Sequence, residues 1–250
     1  MRLHLFELND QPWLPSSIRN ALTAYLNVAY RSTPFGAMAA QQVATLLART
    51  DSNKIVDLCS GSGGPIALVE SELKRADVTA HITMTDLFPN PDVPGDYWPQ
   101  SVDARAVPAQ LKGIRTMFAS FHHFRRNDAQ KILRDAFEKR CAIMIFEVTA
   151  RTPVGILGAI LIPFGVLLMT PRIRPLSVMQ VVFTYLIPIL PLMIFWDGFV
   201  SQLRTYTPEE LKEMTQDLRA EDYVWDFGMK QVPGTPLKVP YLTGHPQSIP

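Results

Sequence analysis

The sequence predicts an α/β fold built on a doubly wound sheet, with helices ahead of it and an apolar helical hairpin inserted late. Three observations predict this. Lys54 to Glu70 reads KIVDLCSGSGGPIALVE: a short apolar run of strand type, a break at Ser60-Gly61-Ser62-Gly63-Gly64, then residues that suit a helix. From Ala80 onward, strand-like and helix-like runs alternate, and Cys141–Phe146 is nearly all apolar, as a central parallel strand is. Val154–Met169 and Val178–Trp196 are then almost wholly apolar, which a plain sheet domain does not need.

The first elements precede the glycine turn. Pro12 to Pro15 is a turn, and Ser16 or Ser17 can cap a helix reaching about Tyr30, with Leu22, Tyr25, Leu26 and Ala29 on one face. Arg31–Gly36 reads as a loop and Ala37–Arg49 as a second helix. A chain of 250 residues with formal charge +1 can bury a full core, and it shows no basic excess to suggest nucleic acid. Cys59 and Cys141 fall in strands or at their ends, which is buried-thiol usage suited to a reducing compartment. The start, MRLHLFELND, lacks the apolar stretch of a secretory signal, so a cytoplasmic location is expected.

The glycine turn lets the backbone turn tightly and approach a ligand, while the helix N-terminus offers free N–H groups. A dinucleotide fingerprint counted from Gly61 would place its third glycine at Ile66, which disfavours an NAD(P)-linked oxidoreductase, and no P-loop pattern occurs. With Asp57, Gly61 and Gly63, the stretch resembles the first motif of class I, Rossmann-like, S-adenosylmethionine (SAM)-dependent methyltransferases. Cys59 stands where that family usually has its first glycine. The resemblance covers about Lys54 to Glu147 motif by motif. It implies SAM as cofactor, methyl transfer as the activity, and an N-terminal helical pair over the cleft, with Tyr25, Tyr30 and Phe35 as lid residues or core aromatics.

His81–Thr85 is the second strand, ended by Asp86-Leu87. A carboxylate there lies beside the glycine turn in a doubly wound sheet, where it can accept hydrogen bonds from ribose hydroxyls. Ser101-Val102-Asp103-Ala104-Arg105 looks like the end of the family's third strand, where an acid meets the adenine amino group. The cofactor set implied by the resemblance is thus Asp57, Cys59, Gly61, Gly63, Asp86, Leu87, Asp103, Ala104 and Ser120.

Ile114–Phe118 is the fourth strand, running into Ala119-Ser120-Phe121-His122-His123. Strand ends of this kind flank the ligand crevice, and histidine accepts protons near neutral pH. His123 is therefore the first candidate for the proton-accepting or acceptor-positioning group and His122 the second. No third ligand lies at recognisable spacing, so no metal is expected. A polar amphipathic helix, Asn127–Lys139, leads to the fifth strand, Cys141–Phe146. That strand ends at Glu147, which can bind the acceptor, hold a histidine or pair with Arg151.

The apolar runs would span about 24 and 28 Å at about 1.5 Å per residue, short of a hydrocarbon core of about 30 Å. Prolines at 163, 188 and 191 would kink them. Thr207, Pro208 and Glu210 start a helix with a capping box. Tyr223–Lys230 and Lys238–Thr243 are two closing strands that must join the same sheet, so the insertion returns to the side it left. A full crossing would leave Arg172 and Arg174 on the far side, against the positive-inside tendency. A hairpin dipping into one leaflet, a lid, or a homodimer surface fits better.

The expected organisation is an N-terminal helical cap over 1–50, a SAM-binding domain over 51–152 and 197–250, and the apolar insertion over 153–196. The expected function is methyl transfer to a small hydrophobic or lipid-like acceptor, at the inner face of a membrane if the insertion meets one. A membrane-attached binding module without turnover is the alternative.

Overall fold

A computed structural model describes residues 1–247; positions 248–250 of the expected SAM-binding domain lie outside the described residues. Two helices, α1 (Ser16–Arg31) and α2 (Phe35–Thr50), lead into β1 (Lys54–Leu58), α3 (Gly64–Arg75) and β2 (His81–Thr85). The chain continues through β3 (Ile114–Phe118), α4 (Arg126–Glu138) and β4 (Ile143–Phe146). Next come α5 (Pro153–Ala159), α6 (Ile162–Met169), α7 (Val178–Val181) and α8 (Ile189–Arg204), then α9 (Pro208–Met214), β5 (Tyr223–Gln231) and β6 (Lys238–Pro246).

The sheet order is β2-β1-β3-β4-β6-β5; β1 to β4 are parallel and β6 is antiparallel to both neighbours. Strand order reverses between β1 and β3, which opens a crevice at their carboxyl ends. Helices cover both faces, so the central strands must be apolar on both sides. In β4, Ile143 and Ile145 join α4 and α9 in one core, while Met144 and Phe146 join α2 and α3 in the other. All four are essentially inaccessible, and each is worth about 1.5–3 kcal/mol of burial. A third core packs α1 against α6 and α8 through Leu22, Tyr25, Val166, Leu190 and Ile194.

Three expectations need correction. No strand forms at Ser101–Arg105. The residues before it are rich in proline and glycine, and a single parallel bridge, Met84 to Tyr97, occupies the edge beside β2. Asp103 instead starts a turn, its carboxylate accepting from the Arg105 backbone and guanidinium. α1 begins after Pro15 with no side-chain cap, so neither Ser16 nor Ser17 caps it. The boundary expected at 196/197 falls inside α8, which runs on to Arg204; within it Gly198 lets α6 approach closely, since a Cβ there would lie 2.5 Å from Ile162 Cδ1. The capping box at Thr207 and Glu210 forms as the sequence indicates.

Candidate functional site

The turn after β1 winds through three left-handed residues, Cys59 (φ 59°), Gly61 (φ 51°) and Gly63 (φ 73°). Only Cys59 carries a side chain there, at a conformational cost of about 1–2 kcal/mol. A Cβ on Gly61 would meet nothing within 4 Å, so the turn faces open space at that point. Asp57 lies beneath it, 3% exposed, accepting from Ser60 Oγ at 2.6 Å and Thr116 Oγ1 at 2.7 Å. Its carboxylate therefore holds the turn in place and is not presented to the cleft.

Burial pushes the Asp57 carboxyl up from 3.8 to about 7, opposed by the two hydroxyls and reinforced by the charge of Asp86. The folded protein thus retains a proton that the unfolded chain has released between about pH 4 and pH 7. The associated stability is fully present below the unfolded value and is lost as pH rises through that window. Asp57→Asn, which stays neutral, should flatten that part of the curve of melting temperature against pH. An unchanged curve would refute the assignment.

Asp86, at the end of β2, accepts from the Gly61 N–H at 3.0 Å through Oδ2 and from the Phe88 N–H at 2.9 Å through Oδ1. The acid and the glycine turn therefore adjoin, as the strand order requires. Leu87 is exposed next to it. Ser120, just beyond β3, is buried, and its Oγ has no partner among the described residues. Burial pushes the Cys59 thiol up, with the charges of Asp86, Asp57 and Asp103 adding to it, which disfavours the thiolate. Ala104 packs into the α4–α9 core and its side chain does not reach the cleft. The pairing of Asp103 with Arg105, which also reaches Asp128, leaves it a turn-forming role.

Beyond the ends of β3 and β4 lies a cavity of about 330 Å³. Its walls are mostly apolar: Leu22, Tyr25 and Tyr30 from α1, Phe35 and Met38 from α2, and Ile162 and Ile194 from the insertion. The three expected aromatics all line it, and Tyr25 and Phe35 are also buried in the third and second cores.

The polar side of the cavity carries His122, His123 and Glu7. Glu147 grips the 3₁₀ turn Phe121–His123 twice, accepting from the His122 backbone at 2.9 Å and lying 2.8 Å from His122 Nδ1. Burial would raise the Glu147 carboxyl, but the charge and hydrogen bonds of His122 hold it below its ordinary value. Arg151, the other expected partner of Glu147, pairs with Glu210. His123 Nδ1 lies 3.1 Å from Asp10 Oδ1. Burial would lower its proton affinity, yet the Asp10 hydrogen bond and the charges of Glu7 and Asp10 raise it.

Sequence reasoning missed the strap formed by the N-terminal residues. Arg204, on α8, donates to the Leu5 carbonyl at 2.7 Å and Asp10 Oδ2 at 2.8 Å, and lies 3.1 Å from Glu7 Oε1. Arg2 donates to the His122 and Phe124 carbonyls at 2.8 and 3.0 Å. Asp197, pushed up to about 6 by burial, accepts from the Leu8 and Asn9 N–H groups at 2.6 and 3.0 Å. One signal could have found this: Asp197, Ser201 and Arg204 follow helical spacing at the end of an otherwise apolar helix.

No protein-family model matches the sequence, and no curated protein matches it. Among solved structures, the chain is similar to the plantazolicin methyltransferase BamL, solved in complex with a triazolic desmethylPZN analog and SAH. Identity is 10% and the TM-score 0.51, over 92% of this chain and 97% of that one. It is also similar to the citrinin polyketide synthase CMeT domain, at 14% identity and TM-score 0.50, over 87% of this chain and 55% of that one. At these identities the likeness is one of fold, and the fold is the Rossmann-like one of class I methyltransferases.

Proposed function

We propose that this protein transfers a methyl group from SAM to a small apolar or lipid-like acceptor held in the cavity, at a membrane surface. The observations that carry this reading are the contact of Asp86 with Gly61 at the carboxyl ends of β2 and β1, and the mostly apolar cavity beyond β3 and β4 whose polar side carries His122 and His123. Open space at Gly61, the partnerless Ser120 hydroxyl and the Asp86 carboxylate suit a ligand with amino-acid, ribose and base parts. SAM supplies an electrophilic methyl group on a sulfonium. The chain has to align the acceptor, exclude water and, where the acceptor must lose a proton, receive it. His123, steadied by Asp10, meets the acceptor first; His122, buried and fixed by Glu147, supports it. BamL, a methyltransferase solved with SAH, lends support through the shared fold.

The insertion supports the membrane part of the proposal. Leu157, Leu161, Phe164, Leu168, Val178 and Leu186, all within one insertion, are each more than 60% exposed, and clustered exposed apolar side chains of this kind mark contact surfaces. Among the described residues no single helix is long and apolar enough to cross a bilayer; the two apolar arms are bent by 51° and 79°. Helices of this kind can lie in one leaflet. Because Ile162 and Ile194 also wall the cavity, the same segment joins the acceptor pocket to the bilayer.

The test combines labelled SAM, a lipid and metabolite extract, and anionic vesicles. Wild type should bind SAM, label an apolar component and sediment with vesicles, and Leu161→Ser/Phe164→Ser/Leu168→Ser should remain in the supernatant. His123→Ala should lower turnover with little change in SAM affinity. Binding without transfer to any component would favour a module without turnover. A discrete dimer that ignores vesicles would assign the apolar face to a second copy.

A further inference from the structure

The geometry points to a divalent transition-metal site formed by Glu7, His122 and His123 on the wall of the cavity. Their candidate ligand atoms all lie within 4.8 Å of one another. His122 Nε2 is 3.9 Å from Glu7 Oε1, and His123 Nε2 is 3.8 Å from Glu7 Oε2. These gaps are too long for hydrogen bonds. Two ligands of one ion at about 2.0–2.2 Å each stand about 3–4 Å apart; the two His–Glu7 gaps already fall in that range, and the widest gap, at most 4.8 Å, needs to close by about 1–2 Å.

Partners behind the three ligands carry the argument further. Each histidine faces a carboxylate through Nδ1: Glu147 Oε2 at 2.8 Å for His122, and Asp10 Oδ1 at 3.1 Å for His123. Such a carboxylate fixes the N–H on Nδ1 and leaves the lone pair on Nε2, the usual support of a metal-bound imidazole. Among the described residues, neither Nε2 has a hydrogen-bond partner. Glu7 is oriented in turn, its Oε1 lying 3.1 Å from both Arg204 Nη1 and Ser201 Oγ, which leaves Oε2 toward His123. Arg204 also lies 3.4 Å from His123 Nδ1 and opposes an added cation. Against that single charge stand Glu7, Asp10 and Glu147, so the cluster is formally −2 with neutral histidines, and a divalent ion balances it.

Two imidazoles and one carboxylate suit zinc or iron(II) better than magnesium or calcium. Three protein ligands leave a coordination position open, as in catalytic rather than structural sites. That position borders the apolar cavity, so it would take an oxygen of the acceptor, and with metal bound His123 would place the acceptor through the ion rather than receive its proton; this use rests on the proposed methyl transfer, whereas the metal site itself does not.

Untagged full-length protein, freed of metal by a chelator, should be titrated with Co(II) alone and followed by visible absorption, with Zn(II) added as competitor. One Co(II) should bind per chain and be displaced by zinc. Asp10→Asn should weaken binding by about 10–100-fold, as loss of a supporting carboxylate does. His123→Ala and Glu7→Gln should abolish it. Because Glu7 is buried against Arg204, the partly exposed His123 gives the variant expected to keep the wild-type melting temperature. Wild type that takes up no Co(II), or uptake that survives in folded His123→Ala, overturns the proposal. No cofactor or acceptor is present in this assay, so its failure and a failure of methyl transfer are separate results.

Discussion

Titrating SAM into the Gly63→Val protein should give no measurable binding. Gly63 sits at φ 73°, immediately before α3, where a β-branched residue is strongly disfavoured. The new Cβ would also stand 2.8 Å from Val93 Cγ1 and 3.3 Å from Met84 Sδ. Even if the Val93 and Met84 side chains give way, the left-handed backbone at Gly63 suits no β-branched residue, so the turn rotates and disturbs the Gly61 N–H contact with Asp86. The Gly63 N–H itself closes the turn, donating to the Ser60 carbonyl at 2.7 Å. Gly61→Ala provides the comparison: its methyl group would enter open space, at about 1–2 kcal/mol of backbone cost. That variant should fold well and still bind more weakly, since the methyl occupies room meant for ligand. SAM affinity unchanged in a folded Gly63→Val protein would place the cofactor elsewhere.

What the sequence made legible was local. The strand–glycine turn–helix unit, the apolar β4 and the Thr207 capping box follow from neighbouring residues whose preferences agree with the final fold. Asp86 was legible because strand order alone brings the end of β2 beside the turn after β1. The missing strand at Ser101–Arg105 was not, because edge pairing depends on what the proline-rich loop before it does. Asp57 falls in β1 just before the turn, as the pattern indicates, but its enclosure by Ser60 and Thr116 depends on β3, more than fifty residues away.

The strap was the least legible part. Glu7 and Asp10 meet Arg204 across nearly the whole chain, and no periodicity carries that information. Distance along the chain also explains why a metal was not expected from spacing: the two histidines are adjacent in sequence, and Glu7 arrives from the N-terminal segment more than a hundred residues away.

Arg204→Met should lower the melting temperature by on the order of 10 °C. Arg204 is 4% exposed and balances Glu7, also 4% exposed, and Asp10. Removing one partner of a buried ion pair leaves an uncompensated charge, which costs about 3–5 kcal/mol. In a chain of this length each kcal/mol moves the midpoint by about 2–4 °C. The loss should also be local. Arg204 Nε holds the Leu5 carbonyl, whereas Asp197 holds the Leu8 and Asn9 N–H groups independently. Amide hydrogen exchange should therefore accelerate at Leu3, whose N–H donates to the Leu203 carbonyl, before it does at Leu8 and Asn9. Arg204→Lys should recover only part of the stability, because one ammonium cannot replace a planar fork that reaches the Leu5 carbonyl, Asp10 and Glu7 together. A midpoint within about 2 °C of wild type in the methionine variant would mean that the strap is held by Asp197 and apolar packing alone.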